Sequence, residues 1–306
     1  MNKFYFNTSE LVDIVYKNLH KIPHDIDAVV CIARGGLIPG TIISEHFNIP
    51  ITTVSLFLSG RDNCWLGDSK YASYCTENIR KILVIDDSSN SGNTLSRNKQ
   101  LLNESGWVGE TIFCCIHGSP ATTYSTPDCI ILDDSFSINT DCTRIYQMNM
   151  FRTLVFNNFS TDLDGVLCED PPWGCDKDED LYRHFLKNAR PYIKTPHINY
   201  IITARLEKYR AETEKWLQDH GITYNGLIMS PLSSVDEKLS LMHDGDWSDW
   251  RFKTNMIITN NLTDYVFIES NLYEATNIFK NITKKIYNVY CTEVFDFITD
   301  KYLKNN

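Results

Sequence analysis

The chain has 306 residues, 42% of them hydrophobic and 12% aromatic, enough to bury two cores in about two domains. Its formal charge of −10 excludes a nucleic-acid or anionic-membrane partner held by bulk electrostatics and leaves only local basic pockets for anions. Its ten cysteines include no C-x-x-C pair, and the opening MNKFYFNTSELVDIVYKN reads as a mixed-charge helix, so reduced thiols in a cytoplasmic protein are expected.

Short apolar runs then follow in order: AVVCIA (28–33), ITTVSLFL (51–58), KILVID (81–86), GETIFCCIHG (109–118) and CIILDD (129–134). GLIPGTIISEHF and TLSRNKQLLNES lie between them with helical patterns. Unalternated runs separated by helices predict strands covered on both faces, hence a parallel α/β sheet. The pattern restarts with LVFNNFSTDLDGVL (154–167), INYIITA (198–204), GLIMS (226–230), NMIIT (255–259), YVFIES (265–270) and KIYNVYC (285–291). LYRHFLKNARPYI and EKYRAETEKWLQDHG are the helices of this second series, and RIYQMNMFRTLVFNN joins the halves. The expectation is α/β with two domains, 1–153 and 154–306, each a mainly parallel sheet flanked by helices. No apolar run reaches the length of a membrane span.

Ligands of open parallel sheets bind beyond the carboxyl ends of the strands. The first such end carries Ala33-Arg34-Gly35-Gly36, where glycines let backbone N–H groups approach an anion and Arg34 adds a planar cation. The second is VIDDSSNSGNT, in which Asp86 and Asp87 precede Ser88, Ser89, Asn90, Ser91, Gly92, Asn93 and Thr94. Small hydroxyl and amide donors can wrap a phosphate, while the acids suit the hydroxyls of an attached sugar. An N-cap and turn would use the same residue types.

VIDDSSNSGNT resembles the ribosyl-phosphate loop of type I phosphoribosyltransferases, and ARGG resembles their pyrophosphate loop. The resemblance implies phosphoribosyl pyrophosphate (PRPP) as donor. Asp86 and Asp87 would sit on the ribose hydroxyls, Ser88 to Thr94 on the 5-phosphate, and Ala33 to Gly36 on the pyrophosphate. It also implies Mg2+ held by the substrate, with Arg61 and Lys70 on a loop over the leaving pyrophosphate. Purine-salvage members have Asp where this chain has Asn90, which cannot accept a proton.

In the second half, FSTDLDGVLCEDP brings Asp162 and Asp164 to the end of another apolar strand. One aspartate can attack phosphorus while a second protonates the leaving oxygen and then activates water, given a divalent cation. Thr203, Lys253 and Glu269 follow at later strand ends and in WRFKTNM, with Lys238 a rival for the lysine. The set resembles the four motifs of haloacid-dehalogenase-like (HAD-like) phosphatases. That resemblance implies a Rossmann-like domain with minimal cap or none, and Asp162 as nucleophile beside Asp164 as acid/base. It further implies Thr203 on the phosphate, Lys253 as charge partner, and Asp162, Asp164 and Glu269 around Mg2+.

Over nearly all of its length the chain resembles the phosphoribosyltransferase–phosphatase pairs of bacterial ribofuranose polysaccharide synthesis. This implies transfer of phosphoribosyl to a glycan on a polyprenyl carrier, with peripheral membrane contact and no nucleic acid. The alternatives are a nucleobase phosphoribosyltransferase joined to a 5′-nucleotidase, and a PRPP-binding regulator.

Overall fold

The computed structural model describes residues 5–60, 64–66, 79–119, 122, 126, 128–134, 144–151, 159–193, 197–262, 266–282 and 288–303. The chain separates into two compact units, Met1–Asn149 and Met150–Asn306.

The first unit opens with β1 (Tyr5–Phe6) and α1 (Thr8–Asn18). Asn7 starts the helix with a reciprocal cap: its side chain accepts from the Glu10 N–H, and Glu10 accepts from the Asn7 N–H. Then come β2 (Ala28–Cys31), α2 (Leu37–Phe47), β3 (Ile51–Thr53), α3 (Val54–Leu58), β4 (Lys81–Ser89), α4 (Asn93–Glu104), β5 (Glu110–Gly118), β6 (Ile130–Ile131) and β7 (Ile145–Tyr146). The main sheet has the order β3-β2-β4-β5-β6 and every pairing is parallel. Val29, Cys31, Leu83 and Ile85 enter one core, and Ala28, Val30, Ile82 and Val84 enter another. Burial on both faces is why these strands lack alternation.

Two expectations need correcting here. ITTVSLFL is not one strand, because the Thr53 side chain accepts from the Leu56 N–H and turns the chain into α3. The segment read as connector supplies β7, which pairs in parallel with β1.

The second unit contains β8 (Phe159–Thr161), α5 (Glu179–Asn188), β9 (His197–Leu206), α6 (Arg210–Asp219), β10 (Thr223–Ser230), α7 (Val235–His243), α8 (Asp249–Thr259), β11 (Val266–Glu269), α9 (Leu272–Asn281), β12 (Asn288–Cys291) and β13 (Asp296–Phe297). Its sheet runs β10-β9-β8-β11-β12-β13, parallel except for β13. NMIIT, expected as a strand, is the end of α8. Phe252, Met256 and Ile257 pack on the core while Ile258 is exposed, a helical period that three apolar residues in a row do not reveal.

Both acid pairs therefore stand at the carboxyl ends of interior strands, β4 and β8, with parallel neighbours on either side. Among the described residues no helix is long and apolar enough to cross a membrane.

Two candidate active sites

At the first site β4 runs further than its apolar residues suggest. Asp86 pairs with Cys115, Ser88 with His117 and Ser89 with Gly118, so the strand continues through both acids. The turn itself is only Asn90 to Gly92, and Gly92 has a φ of 74° as it opens α4. Asp86 and Asp87 are both buried. Asp86 accepts from the Asp87 N–H, and the Ser88 hydroxyl donates to Asp87. The Ser89 hydroxyl is buried with no partner among the described residues, while Ser91, Asn93 and Thr94 are exposed.

The two expected loops meet. A Cβ on Gly35 would lie 2.6 Å from the Asp87 carboxyl carbon and 2.8 Å from Asp86 Oδ1. A Cβ on Gly36 would collide with the Ile85 carbonyl oxygen. Only glycines allow this approach, which carries exposed Ala33 and Arg34 to the edge of the acid pair. The Ala33–Arg34 peptide is cis. Arg61 and Lys70 fall outside the described residues.

Two features around this loop escaped the sequence reading. Arg144 is buried and donates to the Asn90 side-chain oxygen at 2.7 Å and to the carbonyls of His117 and Gly118. His117 lies 3.1 Å from Asp133 and 2.7 Å from the Tyr146 hydroxyl, which is itself 3.4 Å from the Asp87 carbonyl oxygen. Burial lowers His117 to about 4 despite Asp133. The available signal was a histidine closing an apolar strand beside the acid-tipped one.

At the second site, residues named from the sequence line one cavity of about 710 Å3: Asp162, Asp164, Thr203, Lys238, Lys253 and Glu269. β8 delivers Asp162, whose N–H continues the ladder to the Ile268 carbonyl. Lys253 comes from α8, where Phe252 and Ile257 anchor the helix in the core. Its ammonium lies 2.6 Å from Asp162, 2.7 Å from Glu269 and 2.8 Å from Glu274. Lys238 instead pairs with Asp249 at 2.8 Å.

Burial raises Asp162 well above the ordinary carboxyl range against the pull of Lys253, and Glu269, Asp164 and Glu274 add to the rise. Burial works against the charge of Lys253, but the three carboxylates outweigh it and hold the ammonium protonated. Glu274 was not singled out from the sequence. Asn271 caps α9 by accepting from the Glu274 N–H. The helix it starts then presents Glu274 to Lys253.

Asp164 faces another cation. Arg205 donates to both of its side-chain oxygens, with a closest approach of 2.6 Å, and is fully buried between Cys168 and Thr213. Thr203 is buried and accepts from the Arg205 N–H.

Eight carboxylates and three cationic side chains line the cavity. An all-oxygen donor set with excess negative charge fits a hard divalent ion such as Mg2+ in class and charge. Among the described residues, no three acidic, histidine or cysteine side chains close into a metal cage by themselves. The Lys253 ammonium holds Asp162, Glu269 and Glu274 around itself.

The family described as phosphoribosyl transferase domain matches residues 3–143. Similar solved structures include a purine phosphoribosyltransferase from Pyrococcus horikoshii, at 19% identity over 48% of this chain and 93% of that one, with a TM-score of 0.33. Others are an orotate phosphoribosyltransferase from Aeropyrum pernix (14% identity, 40% of this chain and 66% of that one, TM-score 0.28) and a Helicobacter pylori xanthine-guanine-hypoxanthine phosphoribosyltransferase (14%, 42% and 82%, TM-score 0.30). Residues 3–143 of this chain are thus a type I phosphoribosyltransferase domain.

Proposed function

We propose that the chain is a bifunctional enzyme: the first unit transfers 5-phosphoribosyl from PRPP to an acceptor, and the second hydrolyses the 5-phosphate to leave a ribofuranosyl unit. The acceptor in this reading is a hydroxyl of a lipid-linked glycan. One observation carries the proposal: Asp162, Asp164, Thr203, Lys253 and Glu269, named from sequence alone as a phosphatase set, line one cavity beyond the ends of β8, β9 and β11.

In the first unit Asp86 and Asp87 would orient the ribose hydroxyls, while Ser88 to Thr94, which run into the start of α4, would receive the 5-phosphate. The Ala33–Gly36 loop lies beside them for the pyrophosphate. Substrate-held Mg2+ would offset charge on the pyrophosphate as it leaves.

In the second unit an Asp162 oxygen would attack phosphorus as the bond to the ribosyl O5 breaks. Asp164 would give that oxygen its proton, then take one from the water that releases phosphate. Arg205 fixes the Asp164 carboxyl for both steps. Asp162 and Glu269 would hold Mg2+, which lets a phosphate dianion approach carboxylates. Linking the two sites in one chain raises the local concentration of the phosphorylated intermediate.

The test mixes purified protein with Mg2+, labelled PRPP and either lipid-linked sugars or free nucleobases. Labelled ribofuranosyl glycan, with pyrophosphate and phosphate released, is expected. Consumption of bases with no glycan labelling would rule the reading out.

A further inference from the structure

Trp173 is 97% exposed, yet it lines the cavity that contains Asp162. A fully solvated indole forgoes a large burial gain, and the other tryptophans of this unit pack inward: Trp216 is buried, and Trp247 and Trp250 rest on the core. The segment holding Trp173 out is built to stay there. Pro171 and Pro172 precede it, Gly174 follows with a φ of 76°, and the Cys175 N–H closes the turn onto the Pro172 carbonyl at 2.9 Å. Buried Cys168 and Cys175 pin the chain on either side. Lys177 sits 5.6 Å from the indole centroid and steadies the ring.

The cavity, at about 710 Å3, holds far more than a phosphate group. Its wall is rich in carboxylate oxygens, which accept hydrogen bonds from hydroxyls, and its rim offers one flat apolar face. A polyhydroxylated ring matches both surfaces, presenting O–H groups to the acids and a C–H face to the indole.

We infer that Trp173 is a saccharide platform: it stacks on the sugar ring attached to the phosphate-bearing pentose, so that the second unit selects a glycoside over a bare pentose phosphate. This inference rests on the phosphatase reading of the cavity.

Binding and hydrolysis are measured separately on a synthetic disaccharide carrying ribofuranose 5-phosphate, on ribose 5-phosphate and on adenosine 5′-phosphate. Trp173→Ala is expected to weaken disaccharide binding to Asp162→Asn protein, by calorimetry, about tenfold more than ribose 5-phosphate binding. The same ratio is expected in kcat/KM for the protein with Asp162 intact, and Trp173→Phe is expected to restore most of it. Equal losses for both sugars, or a loss confined to the nucleotide, would overturn the platform. Trp173-dependent disaccharide binding without any phosphate release would keep the platform and sink the phosphatase reading. Absence of both binding and hydrolysis would sink the two together.

Discussion

Arg144 donates a hydrogen bond to the side-chain oxygen of Asn90 at 2.7 Å, although 54 residues separate them in the chain. The same guanidinium ties down the carbonyls of His117 and Gly118, so one buried cation fixes the turn and the neighbouring strand end together. Arg144→Met leaves those acceptors buried without their donor, at a cost of about 2–4 kcal/mol. Urea unfolding of the full chain should record this loss in the first unit, together with weaker PRPP binding.

Gly35 and Gly36 should fail differently. Gly35→Ala drives a methyl against Asp86 and Asp87, and we expect PRPP affinity to fall about 10²-fold with little change in melting temperature. Gly36→Ala meets backbone, the Ile85 carbonyl, and should lower the melting temperature itself. Calorimetric titration beside thermal unfolding distinguishes the two, and equal behaviour would contradict the loop arrangement.

Lys253 is surrounded by Asp162, Glu269 and Glu274, so Lys253→Met strands buried negative charge and should destabilise the second unit by about 3–5 kcal/mol at neutral pH. Asp162 and Glu274 have folded values raised above their unfolded ones. Their neutral forms therefore favour folding at low pH, and that contribution is lost as pH rises through the folded values. The deficit of the variant should accordingly shrink on acidification, and Mg2+ should restore part of it at neutral pH. Denaturant titrations across pH, with and without Mg2+, give the comparison.

His117 sets an acid limit on the first unit. Its folded value near 4 lies below the ordinary 6.5, so the unfolded chain takes up the proton first. Stability from this residue is complete above about 6.5 and falls away as pH drops toward 4, by about 3 kcal/mol in total. His117→Gln should flatten the dependence of melting temperature on pH in that window. An unchanged slope would show that the ring does not titrate there.

Much of the layout of the two candidate sites was legible because it sits in contiguous strand-to-helix segments. Asp86 to Thr94 and Asp162 to Gly165 can be read from short spacing, since strand ends and turns have strong residue preferences. What the sequence hid was contributed by distant elements. Arg144 reaches Asn90, Arg205 reaches Asp164, and Glu274 reaches Lys253 only after the sheets have assembled. The α8 misreading has a local cause: Met256 to Ile258 is too short an apolar run to separate the two periods.

The pairing of β1 with β7 sets Tyr5 opposite Ile145 and Phe6 opposite Tyr146. The Phe6 ring also lies tilted against that of His117, with centroids 4.3 Å apart, at the end of β5. During synthesis the amino-terminal strand must therefore wait until residue 146 has left the ribosome before it finds its partner. Nascent chains halted earlier should keep the first unit open to proteases, and release of that one late strand should close it.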